Sequence, residues 1–140
     1  MVFQRDFLGN IHIAEQGCVF LSLLYSAGKI TGYGNSIQDI QSLYKDFVKR
    51  GWMQKDCTVK QDILILNDLG VKAVAFNTTD KNYDLRDDQF ALVQWVYKPL
   101  DYVHTVCARE KSITTYDPWG ISITERIGAF DRATIYTVQY

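Results

Sequence analysis

The sequence predicts an α+β fold in which amino-terminal helices pack on a mostly antiparallel carboxy-terminal sheet, and three observations predict it. Apolar residues recur at helical spacing through the first half of the chain, whereas short runs rich in Val, Ile, Thr, Tyr and Phe follow Gly70. Helices first and strands later is the order of an α+β domain. The 140 residues contain no repeat, low-complexity tract or linker, and 47% hydrophobic with 14% aromatic content suffices for one core, so residues 1–140 read as a single domain.

The first helix opens at Gly17-Cys18. Leu21, Leu24 and Tyr25 recur at helical spacing, Val19, Phe20 and Leu23 widen the apolar face, and Gly28 is the expected stop. A helix apolar almost all round belongs inside the domain. From Ser36 to Lys49 the helical pattern returns, with Asn35 or Ser36 as cap, Gly51 as stop, and Lys45, Lys49 and Arg50 on a solvated face. Thr58-Val59-Lys60-Gln61 has the form of a capping box before a third helix over Asp62–Leu69, ended by Gly70. Val71–Phe76, Phe90–Tyr97 and Thr134–Tyr140 read as strands. The polar, aspartate-rich stretch Asn77–Gln89 reads as an exposed loop whose acids lack calcium-loop spacing.

Two further β-rich runs, Asp101–Ala108 and Ser112–Gly120, flank the polar connection Arg109-Glu110-Lys111 and predict a hairpin. If its loop is Glu110-Lys111, or the longer Arg109–Ser112, His104 stands directly across from Asp117. Opposed residues of an antiparallel pair share a face with Cβ atoms about 5 Å apart, close enough for a carboxylate to orient an imidazole. Pro118 and Gly120 then end the strand sharply.

Cys18 supplies the chemistry that such a pair serves. A thiol in the first turn of a helix meets unpaired backbone N–H groups and the positive end of the helix dipole, which favour thiolate. Taken singly, Cys18 is also a small core residue, His104 a satisfied histidine and Asp117 a turn residue. Together, in the order Cys, His, Asp, they form a nucleophile, a base and the third group that holds the base in one tautomer.

Gly17-Cys18 opening an apolar helix, the strand Tyr102-Val103-His104-Thr105-Val106 and the ending Tyr116-Asp117-Pro118-Trp119-Gly120 resemble the papain-like cysteine peptidases. The likeness is especially to the bacteriocin-leader-peptidase-like branch found in bacteria and phages, and it spans Gln16 to Gly120. The resemblance implies a papain-like fold in which Cys18 is the nucleophile, His104 the general base and acid, and Asp117 its orienting group. It also implies an oxyanion donor upstream of the cysteine. The position six before Cys18 holds His12, which leaves Gln16 and Asn10 as the oxyanion-hole candidates. Trp52, Tyr102 and Trp119 are candidates for the cleft walls.

The expected function is that of a cysteine peptidase or amidase acting on a peptide, protein or peptidoglycan amide, with no cofactor. Acyltransferases use the same triad, so an acyltransferase is one alternative. The other is a catalytically silent papain-like binding module of phage or mobile-element origin, for which Val19 and Phe20 after the cysteine speak. Cys18, Cys57 and Cys107 match no zinc-ligand spacing, and Cys107 is expected on the strand face opposite His104, so no metal site is expected. A net charge of −1 gives no reason to expect nucleic acid as a partner. No leader segment or long apolar run is seen, which predicts cytoplasmic synthesis without membrane insertion and leaves release to another route.

Overall fold

A computed structural model describes residues 2–7, 9–97, 102–110, 113–120 and 128–140. After a 3₁₀ turn at Gln4–Asp6 come α1 (Ile11–Gln16), α2 (Cys18–Thr31), α3 (Ile37–Lys49) and α4 (Asp62–Asp68). The strands β1 (Ala73–Thr78), β2 (Gln89–Tyr97), β3 (Tyr102–Glu110), β4 (Ile113–Tyr116) and β5 (Ala129–Val138) follow. They form one sheet in the order β1-β5-β2-β3-β4, antiparallel at every pairing. The fold is therefore α+β, helices first and sheet second.

Local chemistry explains the helices. Ser36 caps α3 by accepting from the Asp39 N–H at 3.1 Å while Asp39 accepts from the Ser36 N–H, and Ile40, Tyr44 and Phe47 then face inward at helical spacing. In α2, Phe20, Leu21, Leu23, Leu24 and Ala27 are all buried, and even Ser22 and Ser26 are. Its central place follows, with the sheet on one side and α4 on another. Ser26 Oγ satisfies itself on the Ser22 carbonyl at 2.9 Å and lies 3.0 Å from Cys107 Sγ on β3, so Cys107 faces the helix.

Several boundaries depart from expectation. Gly28 does not stop α2; the helix runs on to Thr31 and ends at Gly32, whose φ of +80° is the left-handed cap that glycine adopts freely. Gly28 is instead a point of close approach, where a Cβ would stand 2.7 Å from the Tyr33 carbonyl oxygen. Thr58 does not cap α4, whose N-cap is Gln61. The preceding segment is a tight hairpin closed by a Met53–Val59 bridge, with Cys57 at φ +67° and its N–H on the Gln54 carbonyl at 2.9 Å. The short α1 arises where no helix is expected, and the last strand begins at Ala129, five residues before Thr134.

The two sheet faces build two cores. Phe90, Leu92, Cys107, Tyr116, Tyr136 and Val138 join the helices, and the Tyr136 hydroxyl donates to Asp62 Oδ2 at 2.6 Å where α4 begins. On the other face Ala91, Val93, Trp95, Val106, Ala133 and Ile135 pack beneath Tyr83 and Leu85 from the acidic segment. That segment is thus partly a cover. Among the described residues, no helix is long and apolar enough to cross a membrane.

Candidate active site

Cys18 is the first residue of α2. It is delivered there by Gly17, the single residue between α1 and α2, which packs so tightly that a Cβ would lie 2.5 Å from the Ile13 carbonyl oxygen. The chain therefore turns directly from one helix into the next. The first amides of α2 have no acceptor within the helix, and Cys18, where that helix begins, is half-buried.

His104 lies on β3, opposite Trp95 of β2, and is almost fully buried. Its Nε2 lies 2.7 Å from Asp117 Oδ1, which also accepts the Trp119 N–H at 2.9 Å. Asp117 is as buried as its partner. With an acceptor-only carboxylate at Nε2, the proton of a neutral ring belongs on that nitrogen. The Trp119 ring stacks on the imidazole with centroids 3.6 Å apart and an angle of 11°. The remaining nitrogen, Nδ1, is buried and, among the described residues, makes no hydrogen bond of ordinary geometry.

The hairpin register differs from expectation. Cys107 pairs with Tyr116 and Glu110 with Ile113, with irregularities between, so Asp117 is not directly across from His104. Continuing the Cys107–Tyr116 register would set Asp117 across from Val106. A slip of two residues preserves the face, and Val106 and His104 share one by strand alternation. Asp117 therefore reaches the ring diagonally, from the turn in which the Gly120 N–H bonds its carbonyl at 2.8 Å. The expected loop residues Lys111 and Ser112 lie outside the described residues.

Electrostatics couple the thiol to the ring. Burial pushes the Cys18 thiol up, but its hydrogen-bonding and charge interactions with His104, aided by the Thr105 backbone and hydroxyl, outweigh this and leave it below an ordinary thiol. Burial pushes His104 down, and Asp117 together with Cys18 outweighs that and holds it above an ordinary imidazole. The pair leans toward thiolate and imidazolium. Cys57 behaves oppositely, pushed up to about 12 by burial and by the charges of Asp56 and Cys18.

The other expected residues are placed as follows. Asn10 caps α1, its Oδ1 accepting from the Ile13 N–H at 3.3 Å, and Gln16 is exposed at the end of that helix. Trp52 is half-buried and packs on Phe47 with Arg50 over its ring at 4.8 Å, whereas Trp119 covers the imidazole. The side chain of Tyr102 lies outside the described residues. Two residues passed over in the sequence belong to the site. Thr105, beside His104, helps hold the thiolate. Gln4 is buried and donates Nε2 to the Ile13 and Ala14 carbonyls, both at 3.3 Å, while its backbone N–H bonds the Pro118 carbonyl at 2.8 Å. It ties the Asp117 turn to the helix that delivers Cys18. The position of Thr105 next to the histidine was a usable signal; Gln4, in a stretch without periodicity, had none.

One family model, described as "Protein of unknown function, DUF261", matches residues 3–138. No curated protein and no solved structure matches the chain.

Proposed function

The chain belongs to the DUF261 family, whose function is unknown, and from its own side chains we propose that it is a papain-like cysteine hydrolase of amide bonds. One observation carries the reading: a buried imidazole, fixed at Nε2 by Asp117 under Trp119, interacts with a helix-start thiol whose ionisation it favours. A helix-borne cysteine packed against a histidine strand, with the acid just past the next strand, also supports the papain-like reading.

In the proposed reaction the Cys18 thiolate attacks the amide carbonyl carbon, and the carbonyl π electrons move to oxygen. The first N–H groups of α2, Cys18's own included, are the donors at hand for that oxyanion. The imidazolium of His104 gives its Nδ1 proton to the departing amine, and the acyl group remains on sulfur as a thioester. Water, losing a proton to the now neutral Nδ1, then attacks the thioester carbon, and breaking of the C–S bond releases the acid and restores the thiolate–imidazolium pair. Asp117 keeps the ring oriented and stabilises its charged form throughout.

The test is covalent labelling with a peptidyl vinyl sulfone, read by intact mass and peptide mapping, followed by screening of peptides and peptidoglycan fragments for cleavage. We expect one adduct, on Cys18, abolished with all hydrolysis by Cys18→Ala and retained in Cys57→Ala and Cys107→Ala. Labelling no faster than that of a free thiol, or spread equally over the three cysteines, overturns the reading and leaves the protein a binding module.

A further inference from the structure

A cavity of about 330 Å³ opens beside α2, and neither Cys18, His104 nor Asp117 lines it. Its volume falls within the range of small-molecule sites, roughly 300–1,000 Å³. It exists because of how α2 ends. After Gly32 the chain turns back over the helix, and the Tyr33 carbonyl approaches Gly28 too closely for any side chain there. Tyr33, Gly34 and Asn35 thereby become one rim of a hollow whose floor is α2.

The interior has a definite chemistry. Leu21 and Leu24 of α2 and Ile40 of α3 supply aliphatic surface, all three buried. Tyr25 and Tyr116 supply an aromatic wall, their rings stacked 4.4 Å apart at 6°. The Tyr116 hydroxyl is occupied by the Val2 carbonyl at 2.5 Å, and burial keeps that phenol neutral. Lys29 is the one charged residue of the lining. Its ammonium lies 5.7 Å from the Tyr25 ring centroid, and among the described residues no carboxylate pairs with it. Asn35 adds an amide that, among the described residues, makes no side-chain hydrogen bond.

We propose that this cavity is a second binding site, separate from the cysteine, for a small amphipathic carboxylate. Its apolar body lies against Leu21, Leu24, Ile40 and the tyrosine pair, and its carboxylate meets Lys29 and Asn35. A mostly apolar lining disfavours a multiply charged ligand, because each desolvated charge needs a partner and only one cation is present. A wholly apolar ligand leaves Lys29 and Asn35 unused. The carboxylate is the shared chemistry, and its body is either an aliphatic chain or an aromatic ring.

The test is a titration of isotope-labelled protein with octanoate and with 3-phenylpropanoate, each beside its alcohol analogue, following the backbone amides of Gly28, Gly34 and Asn35. Saturable shifts are expected at those amides, with each carboxylate favoured over its alcohol by about two- to fivefold, the scale of a solvent-facing ion pair. Which carboxylate binds tighter identifies the body. Lys29→Gln, an exposed substitution, should abolish the preference of each carboxylate over its alcohol. Repetition in Cys18→Ala separates this site from the hydrolase reading, because the same shifts are expected there. Absence of saturable shifts at the three amides, shifts confined to the neighbourhood of Cys18 and Trp119, or a carboxylate preference that is missing or survives Lys29→Gln overturns the proposal.

Discussion

A thiol ionises below its usual range only where another group retains the proton and the anion has company. His104 retains it, and the backbone and hydroxyl of Thr105 provide the company. The signs of the two shifts set a pH window. Cys18 is lowered, so thiolate persists to lower pH than in a free thiol; His104 is raised, so imidazolium persists to higher pH than in a free imidazole. Both shifts favour the charged pair, and the two groups titrate together. Iodoacetamide alkylation of Cys18 should therefore rise through a midpoint below that of an ordinary thiol, and hydrolysis should follow a bell whose alkaline limb lies above the ordinary imidazole range. Asp117→Asn removes the negative charge that raises His104, so that limb should move to lower pH. Turnover should fall by less than the ~10⁴ seen for the corresponding change in a serine triad, since an amide can still orient the ring. Asp117→Ala should be worse and should also destabilise the fold by about 1–3 kcal/mol, because a buried ring N–H loses its acceptor. A pH–rate profile and a urea melt check both variants; full turnover in Asp117→Ala would reduce the site to a Cys18–His104 dyad.

At the scale of elements, the position of the sulfur depends on the one-residue junction between α1 and α2. A methyl group at Gly17 meets backbone, the Ile13 carbonyl, which cannot yield without separating the two helices. Gly17→Ala should cost about 1–3 kcal/mol by overpacking and slow alkylation of Cys18. Gly9→Ala, where nothing lies within 4 Å, should change neither, and a urea melt with an iodoacetamide time course distinguishes them. The same scale explains what was legible. The helices α2 and α3 were readable because each buries a long periodic face, whereas α1 spans six residues and buries only Ile13, too little for any period to register. Gly28 was misread because a glycine near a helix end resembles a stop; its reason is contact with Tyr33, which depends on how the chain returns. The pairing of His104 with Asp117 could be anticipated despite a wrong register, since an even slip leaves both side chains on one face. Trp119 was expected in a cleft wall, but its stacking on the imidazole depends on the turn that Asp117 itself organises. Gln4 acts through Pro118, from the opposite end of the chain, and no local pattern encodes such a contact.

Across the whole molecule, stability resides in the helical core and in the central strands. Phe47 is wholly buried against Phe20 and Trp52, so Phe47→Ala should cost about 3–5 kcal/mol. Phe76 on the edge strand β1 is 51% exposed, and Phe76→Ala should cost less than about 1 kcal/mol. Chemical denaturation of the two variants tests that contrast. The α+β class was readable from the order of periodicities; the sheet order was not, because it depends on β5 entering between β1 and β2. That insertion has a consequence in time. The ribosome makes Cys18 before His104, and makes β5, the strand that joins β1 to the rest of the sheet, after both. Until His104 has been made, the growing chain carries Cys18 without the imidazole that lowers its thiol. In the proposed hydrolase, the order of translation thus withholds the reactive sulfur until the strand that bears His104 has been made and has docked beside α2.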